Sequence, residues 1–166
     1  YVIKEPKLYE KDIAILEYMR SLVGKKVKLV EDKEFIKRNV RQAGKKFNVV
    51  VSDKYINLIH YYLHKHFLGY GALQPMMDDS DISEIICKGL GQSVMVNYKD
   101  RLVKTNLKFF DSRRLNGVVL GLARKVGVQV NEEQPVLDVE SGGFKIHAVY
   151  GGNVMDSKFS VKRKTL

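Results

Sequence analysis

The sequence predicts an α+β fold, with helices first and then an antiparallel sheet interrupted by a single helix. Three observations carry that expectation. Apolar residues recur at intervals of three and four over the first 68 positions, then mostly at intervals of two. The chain of 166 residues is 45% hydrophobic and 29% charged, a balance that folds around a core rather than remaining disordered. The connections between the period-two segments are short, which favours antiparallel over parallel pairing.

Taken in order, residues 9–23 carry Ile15, Met19 and Leu22 at i, i+4, i+7, flanked by Leu16 and Val23, and Gly24 is the expected stop. Residues 31–46 give a narrower stripe, Phe35, Ile36, Val40 and Ala43, among Lys33, Lys37, Arg38, Arg41, Lys45 and Lys46. Residues 53–68 align Ile56, Ile59, Leu63 and Phe67 behind the cap candidates Ser52 and Asp53, with Gly69 expected to close the helix in a left-handed conformation. The period then changes to two. Strands are expected at 84–88, 94–98 and 101–107, with turns at Gly89–Gly91 and Lys99–Asp100. A helix follows over 112–126, capped by Asp111 and ended by Gly127. Strands at 135–139, 144–150 and 158–164 complete the chain. Alternation puts Phe144, Ile146, Ala148 and Tyr150 on one face of their strand and Lys145, His147 and Val149 on the other. It likewise separates Phe159 and Val161 from Ser160, Lys162 and Lys164. The order of elements is a helical leading region over 1–50 and an α+β segment over 51–166.

The formal net charge is +10, unevenly spread: residues 1–50 hold 13 Lys/Arg against 7 Asp/Glu, whereas residues 51–100 hold 4 against 6. A basic balance favours phosphate-bearing partners, whether nucleic acid, nucleotide or an anionic membrane surface. No apolar run approaches the ~20 residues that span a bilayer, and no signal-peptide core opens the chain. The single cysteine, Cys87, cannot form an internal disulfide, which makes a reducing cytosolic setting the default.

Spacing separates the candidate sites. His60 and His64 at i, i+4, with His66 nearby, could chelate zinc. No Glu follows His60 and no Cys or carboxylate cluster lies close in sequence, so they read as interfacial or solvent-facing. Cys87 sits in an apolar strand and reads as a structural thiol. Asp78, Asp79, Asp81 and Glu84, in "GYGALQPMMDDSDISEIICKG", lack the alternation and central glycine of a calcium loop and read as turn and cap formers. No metal site is expected. The phosphate-binding pattern G-x-x-x-x-G-K-[ST] is absent, because Met19 and Asn39 stand where its first glycine would precede Gly24-Lys25 and Gly44-Lys45. The chain by itself is therefore not expected to be an efficient nucleotide triphosphatase. One constellation remains open between an anion site and a solvated lysine face: Lys145 and His147 on one strand with Lys162 and Lys164 on another.

The stretch 69–89, followed by "VMVNYKDRLVKTNLKFFD", "LNGVVLGLARKVG", "NEEQPVLDV" and "GGFKIHAV", resembles the N-terminal domain of the type II/IV secretion ATPase superfamily, its archaeal branch above all. The likeness covers about residues 55–164 in unbroken order and is only loose over 1–50, which it implies is the family's variable helical leading region, ahead of a domain over 51–166. It implies a PAS-like α+β domain behind a small helical region, belonging to a hexameric parent for protein secretion or pilus or archaellum assembly. A RecA-like ATPase domain carrying the Walker motifs would follow, and the start at Tyr1 and the end at "KRKTL" agree with an excised domain. The resemblance also implies ATP and magnesium as the parent's cofactors and a membrane-embedded assembly platform as a partner. It implies a cytoplasmic location at the inner face of the membrane, with no nucleic acid among the partners. Basic residues of such domains reach the nucleotide phosphates. By resemblance these are Lys145 (in Gly143-Phe144-Lys145-Ile146, where arginine is usual), Arg124 (with Val128 in place of a second arginine), Lys162 and Arg163. Lysine keeps the charge but loses the bidentate fork. Two other readings stay open: a free-standing basic nucleic-acid-binding domain, which lacks a recognised aromatic signature, and a protein-docking module that never touches nucleotide.

Overall fold

The computed structural model describes residues 1–165. The chain forms two compact units, Glu5–Gly71 and Tyr1–Lys4 together with the chain from Ala72 onward. The division therefore falls at Gly71 rather than at residue 50. The reason lies in the third helix, whose apolar stripe is spent on the first two helices.

The helical unit contains α1 (Glu10–Val23), a 3-10 turn (Val27–Glu31), α2 (Lys33–Phe47) and α3 (Asp53–Phe67). Ile15, Leu16 and Met19 of α1, Ile36, Val40 and Ala43 of α2, and Ile59 and Leu63 of α3 close on one another in a core that includes Val23 and Val30. The caps fix where each helix begins. Asp32 accepts from the Phe35 amide, Ser52 accepts from the Tyr55 amide, and buried Asp12 accepts from both the Tyr9 amide (2.8 Å) and the Tyr55 hydroxyl (2.7 Å). Gly24 ends α1 with φ of 51°. At the end of α3 the expectation fails. Leu68 and Gly69 both donate to the His64 carbonyl, and the left-handed residue is Gly71, φ 55°. The turn is made two residues later than the glycine position suggested.

A 3-10 turn (Gly71–Leu73) starts at the last residue of the helical unit and leads into α4 (Gln74–Asp78), where the sequence suggested only a turn. Pro75 suits the first turn of a helix, and the helix buries Met76 and Met77 beside Leu73. Six strands follow: β1 (Ile82–Cys87), β2 (Ser93–Tyr98), β3 (Arg101–Lys108), β4 (Val136–Ser141), β5 (Phe144–Val149) and β6 (Lys158–Arg163), with α5 (Ser112–Lys125) between β3 and β4. Every pairing is antiparallel, in the order β3-β2-β1-β6-β5-β4. Two three-stranded meanders thus meet along β1 and β6. Tyr1 and Ile3 run beside β3, the Tyr1 amine donating to the Lys104 carbonyl (2.9 Å) and the Ile3 amide to Asn106 Oδ1 (2.8 Å).

Register makes one face of the sheet apolar. Val139, Ile146, Val161, Ile85, Val96 and Val103 form one row across the strands, and Leu137, Ala148, Phe159 and Cys87 begin the next. Because β3 and β4 occupy opposite edges, α5 must cross a face between them. It packs on β5 and brings Leu115, Val119, Leu122 and Ala123 to the buried side. The loop between β5 and β6 is pinned from inside: fully buried Ser157 accepts from the Gly151 amide and donates to Asn116 Oδ1, while Asn116 Nδ2 donates to the Gly152 carbonyl. Among the described residues, no helix is long and apolar enough to cross a membrane.

Candidate anion-binding site

The face of the sheet opposite α5 carries the polar alternates. One row runs Glu140, Lys145, Lys162, Glu84 across β4, β5, β6 and β1, and the next runs Asp138, His147, Ser160, Ile86. Lys145 and Lys162 are direct cross-strand partners, both exposed. Side chains so placed have Cβ atoms about 5 Å apart, and like charges there repel. One oxyanion between the two ammonium groups would relieve that repulsion. A carboxylate stands on each side of the lysine pair, Glu140 on β4 and Glu84 on β1. Glu140 is taken by Lys164, whose amide donates to the Gly143 carbonyl (2.8 Å) and whose ammonium pairs with the Glu140 carboxylate. Its bond and charge, with a smaller contribution from Lys145, hold the Glu140 carboxyl below the usual carboxylate range. His147 Nδ1 lies 3.9 Å from Asp138 Oδ1. These lysines can attract an anion through charge.

The four residues assigned to phosphate by resemblance do not converge. Lys145 and Lys162 adjoin. Arg124 is exposed in the last turn of α5, the helix that covers the other face. Arg163 shares the parity of Phe159 and Val161. Its guanidinium donates to the carbonyls of Met77 (2.9 Å), Asp79 (3.3 Å) and Ile82 (3.3 Å) and lies over the Phe144 ring at 4.9 Å. That geometry ties the end of β6 to the segment joining α4 and β1. The sequence missed the carboxylate of Glu140, although strict alternation of Leu137 and Val139 with Asp138 and Glu140 was there to show it.

The remaining candidates have structural partners. His60 Nε2 lies 2.8 Å from the Val30 carbonyl, and its ring centroid is 6.4 Å from that of His64. Burial pushes the Cys87 thiol up, opposed by the Gly89 carbonyl and reinforced by Asp156. In the acidic stretch, Asp78 accepts from Gln74, Asp79 accepts from the Asp81 amide and from the Tyr1 hydroxyl, and Asp81 pairs with Lys99 at 3.3 Å. Among the described residues, no three His, Cys, Asp or Glu side chains are grouped to hold a metal ion.

Fold and site together define an α+β protein whose sheet exposes a cross-strand pair of lysines. No protein-family model matches the chain. It is 26% identical to an uncharacterized protein of Methanocaldococcus jannaschii, over 94% of this chain and 66% of that protein, and so spans just under two thirds of its relative's length. Among solved structures it shows a partial likeness to the VirB11 ATPase from the Brucella suis type IV secretion system, crystallised with sulphate. That likeness covers 57% of this chain and 29% of the other, at 18% identity and a TM-score of 0.46.

Proposed function

We propose that the sheet unit is the N-terminal coupling domain of a secretion, pilus-assembly or archaellum-assembly ATPase, and that Lys145 and Lys162 meet a phosphate of ATP held by a separate nucleotide-binding domain of the parent. The observation that carries this reading is register: two cations picked out by strand alternation stand directly opposite each other on the exposed face. The ordered resemblance over residues 55–164 supplies the family. In the parent, a hexamer at the inner face of the membrane, the domain would pass the consequence of hydrolysis to a membrane-embedded assembly platform, with magnesium accompanying the ATP.

A phosphate-contacting cation stabilises charge on the transferring group and can raise turnover by about 10³-fold or more. In the full-length protein, Lys145→Ala is therefore expected to lower ATP turnover strongly without changing the melting of this domain. Lys145→Arg keeps the charge, adds a fork and retains turnover. Unchanged turnover in Lys145→Ala, or a full-length protein that does not hydrolyse ATP, overturns the reading.

A further inference from the structure

α2 presents a second basic surface, independent of the lysine pair. Its inward residues are Ile36, Val40, Ala43 and Gly44. Lys33, Lys37, Arg41 and Lys45 follow one another at i, i+4, Lys37 half-buried and the others exposed, with exposed Arg38 and Gln42 beside them. At 1.5 Å per residue the stripe is about 18 Å long. Its own unit barely neutralises it. Asp53 stands 3.7 Å from Arg41 with both side chains exposed, Asp32 is occupied as the helix cap, and Glu34 is the one acidic residue of α2. Lys46 turns aside over the rings of Tyr18 and Phe47, at 4.8 Å and 5.6 Å from their centroids. Lys25, Lys26 and Lys28 are exposed just before the helix. Like charges at i, i+4 destabilise a helix, so this arrangement opposes folding unless an anion meets it.

We propose that the outward face of α2 docks the phosphate backbone of a nucleic-acid duplex. Charge density decides among the polyanions. A duplex carries one negative charge per roughly 1.7 Å of axis, so the stripe faces about ten phosphate charges along its length. A protein surface rarely offers such a run of one sign. A bilayer is disfavoured because, among the described residues, no large exposed apolar side chain lies on α2 to enter the headgroup region. The exposed arginines Arg38 and Arg41 have the fork that grips phosphate oxygens, and a sequence-derived isoelectric point near 9.6 fits such a partner.

The test uses fluorescence anisotropy of the full chain with a labelled duplex of about 20 base pairs, titrated from about 50 to about 200 mM salt. Five phosphate contacts give a slope of log K against log salt of about −4.5. Arg38→Gln/Arg41→Gln/Lys45→Gln should bring the slope to about −2 and weaken binding at least tenfold, and Arg38→Gln alone should move the slope by about one. The three positions are exposed, so the variant should melt at or above the wild-type temperature. Lys104→Gln/Lys108→Gln/Lys158→Gln, on the sheet unit, should leave slope and affinity unchanged. An unaltered slope in the α2 variant overturns the proposal. So does an absence of duplex binding at about 150 mM salt, or α2-dependent binding to polyglutamate or anionic vesicles with none to the duplex.

Discussion

Arg163 separates two incompatible roles, and replacing it with alanine decides between them. By resemblance this residue meets a nucleotide phosphate, yet its guanidinium is half-buried under three backbone carbonyls and the Phe144 ring. A hydrogen bond from a charged group contributes about 1.5–3 kcal/mol when well formed. Here one bond is short, at 2.9 Å, and two are long, at 3.3 Å. Partial exposure lets water replace some of what is lost, while the ring contact adds about 0.5–1 kcal/mol. Arg163→Ala should therefore destabilise the sheet unit by about 2–4 kcal/mol, lowering its melting temperature on the order of 10 °C. Arg163→Lys should recover only about 1 kcal/mol, because one ammonium cannot reach three carbonyls. Hydrogen exchange of the β1 and β6 amides reads the sheet unit by itself, and both variants should exchange faster there. Unchanged exchange in Arg163→Ala, together with lowered ATP turnover in the full-length protein, would refute the structural role and restore the phosphate contact.

Further expectations follow from close packing and burial. A Cβ on Gly44 would lie 2.3 Å from Val51 Cγ2 and 2.9 Å from the Val49 carbonyl oxygen, so Gly44→Ala should lower the stability of the helical unit by about 1–3 kcal/mol in urea unfolding. Gly117→Ala in α5 meets nothing within 4 Å and should raise stability by about 0.5–1 kcal/mol, and the two changes having the same sign would contradict the packing. Ser157→Ala leaves the Gly151 amide without its buried acceptor and should destabilise by about 1–3 kcal/mol, seen as faster exchange of that loop. For Cys87 the folded thiol is pushed up, so its contribution to stability is present below the unfolded thiol's range and lost as pH rises through the folded value. Alkylation at mildly alkaline pH should track unfolding, and rapid modification of intact protein would show the thiol to be exposed.

Much of the fold was legible because its signals are local. Each strand reports its own faces, so Ile146, Ala148, Phe159 and Val161 could be placed inward before any pairing was known. The caps Ser52 and Asp111 were legible for the same reason, since a side-chain acceptor need only reach two or three residues along the chain. The boundary at Gly71 was not, because whether α3 belongs to the helices or to the sheet depends on which surface its stripe meets. Gly69 misled because a glycine permits a left-handed turn without requiring one, and the chain placed that turn at Gly71. The opposition of Lys145 and Lys162 needed register, which alternation within one strand does not fix. Parity did place Arg163 on the side of Phe159 and Val161, and the carbonyls it meets come from residues some eighty positions earlier.

The setting of the lysine pair also limits what it can do alone. Two unit charges about 4 Å apart attract by about 1 kcal/mol in bulk water, and this face is open to solvent. Two ammonium groups on one phosphate therefore supply about 2 kcal/mol, less than the roughly 4 kcal/mol that corresponds to millimolar affinity. Carboxylates flank the pair at Glu140 and Glu84, and Lys164 holds the first of them. A free nucleotide would not stay there. A phosphate already gripped by another domain would meet the same two charges at an effective concentration set by that domain, and with its water excluded their attraction strengthens severalfold. The pair thus suits a group that senses or stabilises a phosphate held elsewhere. The isolated chain should bind ATP more weakly than millimolar. Tight binding by the chain alone would mean that a different set of residues makes the site.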